Sequence, residues 1–298
     1  MSLDIEVLQM TVDEFADYQI AIGSAVERYG ALYWLRKKGL FFRPLLLHEA
    51  FSPSASDLPP LGLGGFQYIV PDWHEANSTM RFLILDDVHA YALGKLQSKR
   101  RLLIKNAAKL FVVRPIKEIA EFQEQGFHAY SSFYQRTRYQ YKPERTRRSQ
   151  FDQWADAVLK CTKALVLGGY DQGGKLKSVS ISHWVGKSLL YSTFFSDTPT
   201  LQKGIGELMF HVLRETASRT PGIEDVMVRR YQGGNGMDNY YLLRGARLVC
   251  RPAKLRLHPA AKWILKSCFP ARYATLGEGQ ELGLLSEEGH GTCGPLNA

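Results

Sequence analysis

The chain has 298 residues, 45% hydrophobic and 12% aromatic, which is enough for one large or two half-size globular domains and too apolar for a disordered chain. Its 38 Lys and Arg outnumber 29 Asp and Glu, and the resulting +9 calls for an anionic partner without choosing among a coenzyme, a transfer RNA, duplex nucleic acid and a membrane face. Cys161, Cys250, Cys268 and Cys293 contain no Cys-x-x-Cys, so neither a zinc site nor a disulfide framework is indicated and reduced thiols are expected. Met1-Ser2-Leu3-Asp4-Ile5-Glu6 lacks a secretory pattern and no apolar run approaches ~20 residues, so a soluble, cytoplasmic protein is expected.

Residues 12–37 carry helical periodicity, with Asp13 and Glu14 in the first turn. Residues 41–47 and 66–70 read as strands flanking a loop rich in Pro, Ser and Gly, and 80–86 as a further strand. Residues 88–109 read as a basic helix, because Leu93, Leu96, Leu103, Ile104 and Ala107 recur between Lys95, Lys99, Arg100, Arg101, Lys105 and Lys109. A strand at 110–113 and a helix at 116–134 follow, with Pro115 at the helix start, where its missing N–H is harmless. Further cations gather at 136–148 and 244–256, either as solvated faces or as contacts for an anion.

Three short strands, 163–168, 177–185 and 189–196, are separated by glycine turns, which predicts an antiparallel meander. The last of them runs into Gln202-Lys203-Gly204-Ile205-Gly206 and then a helix to Arg219, closed by Thr220-Pro221-Gly222. Two glycines at a helix start let the backbone curl around an anion, which the first-turn N–H groups and the helix dipole attract. The rival reading is a tight turn. A strand at 225–229, a helix at 237–243, a short amphipathic helix at 260–269 and a flexible tail beyond Gly277 complete the chain. Lys262, Trp263 and Lys266 in that short helix leave open a membrane-surface contact or docking on the domain.

Meander, glycine loop, helix and returning strand, in this order, resemble the core of GNAT-superfamily acyltransferases. The run from Leu96 to Lys109, with Ser98, Lys99, Arg101, Ile104 and Ala107, is similar to a pattern of the Fem-type peptidyl transferases and their cellulose-biosynthesis-like relatives. The fold so implied is α/β (α+β), with a GNAT-like mixed, mostly antiparallel sheet flanked by helices, in two packed GNAT-like halves. The expected boundaries are a degenerate half at 1–94, the basic helix at 95–109, the working half at 110–258 and a helix with tail at 259–298. Two features depart from the Fem-type pattern. Residues 118–160 are too short, and too interrupted by Pro143, for the coiled-coil arm that often serves transfer-RNA donors, and Tyr241 and Arg244 replace a lysine and an aromatic.

The resemblance implies transfer of an acyl group from acyl-coenzyme A, acetyl or longer, to the amine of a small molecule or peptide, with no metal. The donor would be held by Phe194, Phe195, Ser196, Gln202, Lys203, Gly204, Ile205, Gly206 and Glu207. Such a reaction needs a neutral amine, donors for the oxyanion and a proton for the leaving thiolate. Tyr240 and Tyr241 are the candidate acids, and His183 and Asp197 the candidate bases, against packing, strand and N-cap roles for the same residues. Arg229 and Arg230 either steer an anionic substrate or face water. The alternatives are an aminoacyl-transfer-RNA-dependent transferase, a basic nucleic-acid-binding module stacking bases on Tyr139 and Tyr141, and a scaffold without activity.

Overall fold

The computed structural model describes residues 5–37, 40–137, 142–234 and 236–278. The chain opens with β1 (Gln9–Met10), α1 (Val12–Ala21), β2 (Val26–Tyr29), β3 (Leu32–Lys37), β4 (Phe41–Pro44), β5 (Gly65–Ile69) and β6 (Ser78–Leu85). Next come α2 (Ser98–Leu110), β7 (Phe111–Pro115), α3 (Ile119–Glu121), a π-helical turn at Phe122–Gly126, α4 (Phe127–Thr137) and α5 (Arg148–Lys160). The meander β8 (Leu165–Asp171), β9 (Leu176–Val185) and β10 (Ser188–Ser196) leads to α6 (Thr198–Leu201), α7 (Ile205–Arg219) and β11 (Asp225–Arg230). Last are α8 (Gly236–Leu242), β12 (Arg247–Leu257), α9 (Pro259–Cys268) and α10 (Pro270–Ala274).

By compactness the chain divides into two units, each made of two stretches, Met1–Ile22 with Asp86–Val226 and Gly23–Leu85 with Met227–Ala298. This division does not follow the contiguous boundaries 1–94, 95–109, 110–258 and 259–298, because strand pairing draws both ends of the chain inward. β1 pairs with β9, while β12 pairs with both β5 and β6.

In the first unit β7, β8, β9 and β10 form the expected antiparallel meander, with Leu165 opposite Ser182 and Leu190 opposite His183. Side chains alternate along β9, so Ser178 and His183 face opposite ways. α7 covers the Ser178 face through Ile205 and Met209, and α1 covers the other through Phe15 and Tyr18. Phe122, Tyr130, Phe151, Trp154 and Phe195 pack as rings 5.3–6.4 Å apart, joining α4 and α5 to β10. Truncating any of these to Ala removes about 3–5 kcal/mol of packing.

The second unit carries the strand order β2-β3-β4-β5-β12-β6, antiparallel except for the β4–β5 pair. One face buries Trp34, Phe42, Phe66, Tyr68 and Val70, and the other Ile69, Met80, Phe82, Ile84 and Ala253.

Several elements differ from the sequence reading for identifiable reasons. The helix expected over 12–37 stops at Ala21; Gly23 at φ +82° and Gly30 at φ +51° break it, and β2 and β3 form a hairpin instead. Residues 88–95 form two single turns, so the basic helix begins at Ser98. Pro115 ends β7 rather than opening a helix. α9 leaves Trp263 68% and Ile264 44% exposed. Cys161 and Cys268 are free thiols. Among the described residues no helix is long and apolar enough to cross a membrane. Tyr139, Tyr141, Asn235 and the tail from 279 lie outside the described residues.

Candidate functional site

The glycine turn lies between two helices, because α6 intervenes between β10 and residues 202–204. Gly204 sits at φ +86°, a conformation that costs any other L-residue. The Lys203 N–H donates to Thr200 O at 3.0 Å and the Gly204 N–H to Leu201 O at 3.1 Å. Glu207 and Leu208 both donate back to Gly204 O. The first-turn amides of Ile205 and Gly206 have no partner in this pattern among the described residues, and both residues are buried. Gln202 and Lys203 are exposed, while residues 204–208 are buried.

α2 provides the cover. A Cβ on Gly204 would lie 3.0 Å from Leu103 Cδ1 and 3.4 Å from Ala107 Cβ. Ile104 and Ala107 are buried and Leu103 is partly exposed beside them, and together they form the apolar stripe of α2. Its outer side is basic. Lys99, Lys105 and Lys109 are exposed and Arg101 half-buried on that side, and Lys95 is exposed just before the helix, whereas the half-buried Arg100 falls on the stripe side with Ile104 and Ala107, near Tyr91 and Arg214; among the described residues none of the six is ion-paired with a carboxylate. Two of them are held by backbone instead: Lys95 donates to Ala90 O and Arg101 to Gly94 O.

On β10, Phe194 is half-buried beside Tyr191, whereas Phe195 belongs to the aromatic core and Ser196 is fully buried. Asp197 is the N-cap of α6: its carboxylate accepts from the Thr200 N–H at 3.0 Å and from the Thr200 hydroxyl, with Lys177 at 3.6 Å. Both hydrogen bonds fall on Oδ1, and Oδ2 faces the Lys177 ammonium.

His183 is fully buried, its ring 4.3 Å from that of Tyr18 and 5.3 Å from that of Phe15. Nδ1 lies 3.0 Å from Ser192 Oγ, at a bulge in β10 between Tyr191 and Thr193, and Nε2 has no partner. Burial lowers its pKa to about 3, so the imidazole is neutral at physiological pH. These surroundings are those of a core histidine rather than a base in contact with an amine.

In the second unit, α8 turns Tyr241 inward, 5% exposed and with burial pushing its pKa up to about 12. Tyr240 is half-buried, with the Arg244 guanidinium 3.2 Å above its ring and Arg244 Nη1 donating to Tyr240 O. Asp238 is fully buried; it accepts from the Gln232 and Gly234 N–H groups and stands 3.4 Å from Arg229 Nε. Asp238 therefore organises the turn before α8 and fixes Arg229.

The sequence reading missed two features of the first unit. Ser178, Ser180 and Ser182 lie on one face of β9, and with Ser196 they are buried hydroxyls without a partner among the described residues. Serine at alternate positions of a strand was the available signal. The Tyr91 hydroxyl lies 2.7 Å from His211 Nδ1, with the Arg214 guanidinium 4.1 Å from the Tyr91 ring, a pairing across 120 residues that no local pattern announces.

No protein-family model matches the chain, and no curated protein matches it in sequence. Solved structures do match in shape. The C-terminal domain of a proposed lysylphosphatidylglycerol synthetase from Agrobacterium fabrum superposes with a TM-score of 0.58 at 10% identity, covering 89% of this chain and 93% of that one. L-PGS from Bacillus licheniformis gives 0.56 at 10%, over 92% and 99%, and FemX gives 0.55 at 9%, over 88% and 94%. The fold class is therefore the expected one, mixed α/β and GNAT-like, with mostly antiparallel strands flanked by helices.

Proposed function

We propose that this protein is an N-acyltransferase that binds its acyl donor through phosphates, along α2 and at the start of α7, and that the donor is an aminoacyl-transfer RNA. The uncompensated basic face of α2 carries this reading. Four outward cations without a carboxylate partner among the described residues, Lys99, Arg101, Lys105 and Lys109, on a helix seated against the first turn of α7 by Leu103, Ile104 and Ala107, suit an extended polyanion better than one coenzyme. The likeness to FemX and to synthetases of an aminoacylated lipid supports it.

In the reaction the neutral amine attacks the ester carbonyl, the carbon–oxygen bond to the ribose breaks, the amine loses a proton and the ribose oxygen gains one. A ribose oxygen is a poorer leaving group than a thiolate, so an acid matters more than for a thioester. Of the two candidate phenols of α8, Tyr240 is the less buried.

Gel retardation with charged transfer RNA over a range of salt tests the donor. Retention that weakens steeply with salt and is lost in the Lys99→Glu, Lys105→Glu, Lys109→Glu triple variant is expected. Retention without transfer to any amine would leave a binding module. The second reading, acyl-coenzyme A as donor, rests on the first-turn amides of Ile205 and Gly206. Calorimetric binding of acetyl-coenzyme A with no transfer-RNA retention would establish that reading, and binding of neither would remove the acyltransferase assignment.

A further inference from the structure

Three half-buried arginines of the second unit, Arg43, Arg81 and Arg230, stand without a carboxylate among the described residues. Arg43 follows Phe42 on β4, whose parallel pairing with β5 sets Phe42 beside Phe66, so Arg43 and Gln67, each one residue on, both turn to the opposite face of the sheet. Gln67 is fully buried. Its Nε2 donates to Leu276 O at 2.7 Å and lies 3.3 Å from Ser78 Oγ, while its Oε1 has no partner. From the end of β11, Arg230 donates through Nη2 to the adjoining carbonyl, Thr275 O. The Thr275–Leu276 backbone thus ties Gln67 and Arg230 into one cluster. Arg81 extends it, with its carbonyl accepting the Tyr231 N–H at 2.9 Å and its guanidinium 5.2 Å from the Tyr231 ring.

Arg43 Nε is enclosed and among the described residues has no acceptor. Among the described residues no carboxylate pairs with Arg43, Arg81 or Arg230. The three are near enough to repel: burial, then the charge of Arg230, lowers the Arg43 pKa to about 9, and burial, then Arg81, lowers Arg230 to about 10. Charge drawn partly out of water without a counter-charge is costly to fold, and like charges side by side compound the cost. A bond from Arg43 Nε to Gln67 Oε1 would satisfy both atoms and still leave the charges unopposed. Guanidinium forks match the oxygens of phosphate, and the orphan Gln67 Oε1 requires a donor, which a protonated phosphate or a neighbouring hydroxyl supplies.

We propose that Arg43, Arg230 and Gln67 form a binding site for a small phosphate-bearing anion within the second unit. The proposal does not depend on the donor assigned above.

Thermal melts of the full chain test it, with inorganic phosphate, glycerol 3-phosphate or succinate added in chloride buffers of matched ionic strength. The melting temperature is expected to rise by equal steps for each tenfold increase in phosphate. Arg43→Met is expected to abolish that rise and, by removing an unopposed half-buried charge, to raise the melting temperature without phosphate. Arg43→Lys keeps the charge but not the fork, and is expected to retain a weakened response. A larger rise with glycerol 3-phosphate than with phosphate would identify a phosphate ester as the ligand, and equal rises the free ion. The proposal is overturned by a wild-type protein indifferent to both phosphates, by a response to succinate alone, or by a phosphate response that survives in Arg43→Met. It is also overturned if Arg43→Met lowers the phosphate-free melting temperature, since Arg43 would then be an ordinary structural residue. Should Arg43→Met fail to fold, the comparison of Arg43→Lys with wild type decides, and an unchanged phosphate response there counts against the site.

Discussion

Leu103 of α2 packs into the space a side chain at position 204 would need, its Cδ1 3.0 Å from the Cβ that Gly204 lacks. Gly204 therefore answers two demands, a positive φ and a close helix approach. Gly204→Ala should lose about 1 kcal/mol to backbone strain and about 1–3 kcal/mol more to overpacking. Urea denaturation measures the total, and Leu103→Ala in the same chain should return part of the overpacking term. A Gly204→Ala protein as stable as wild type would show that α2 does not pack as described.

Asp197 can be tested as a cap against a base with two substitutions. Asparagine preserves an N-cap oxygen and alanine does not, so Asp197→Ala should cost about 1 kcal/mol and Asp197→Asn a few tenths. A general base would be lost in both. Transfer activity that survives in Asp197→Asn assigns the residue to the start of α6, and activity abolished there with stability unchanged would return it to the chemistry.

Burial holds His48 at about pKa 4 and His183 at about 3, and lowers His211 as well. Each folded-state pKa lies below the unfolded value of about 6.5, so the unfolded chain takes up protons that the folded one refuses. Stability should be at its full value above pH ~6.5 and fall on acidification, by as much as about 1.4 kcal/mol per pH unit for each histidine. The carboxylates with lowered pKa, Glu14, Asp57 and Asp171, come into play only at more acid pH, below their ordinary range. Melting temperatures between pH 7 and 4.5 should therefore slope less in His183→Phe than in wild type. Parallel slopes would mean that His183 is protonated in the folded protein.

The meander and α7 were legible because their signals are local: β-branched and aromatic runs, glycine turns and a 3.6-residue stripe. β2 and β3 were not, since Val26 to Lys37 also fits helical spacing and only Gly30 distinguishes a hairpin. β12 was read as a basic run because its arginines alternate with residues buried between β5 and β6. The candidate site was less legible still. Whether an amide at position 204 is free depends on Leu201 O and on a helix a hundred residues upstream, and whether His183 is a base or core depends on Phe15 and Tyr18.

The two tyrosines of α8 should separate cleanly. Tyr241 is core, and Tyr241→Ala is expected to cost about 3–5 kcal/mol, as for other large buried aromatics. Tyr241→Phe keeps the packing and should leave turnover nearly unchanged, because a phenol raised to about 12 and enclosed is poorly placed to give up a proton. Tyr240→Phe should fold normally and lower kcat by about 10²–10⁴ if its hydroxyl protonates the leaving oxygen. Arg244 lies over the Tyr240 ring, so Arg244→Ala should also lower kcat, through loss of ring orientation, with less effect than Tyr240→Phe. Single-turnover rates with a fixed donor and amine provide the readout. Equal rates for Tyr240→Phe and wild type would remove the phenol from the mechanism, and leave the proton to water or to the substrate itself.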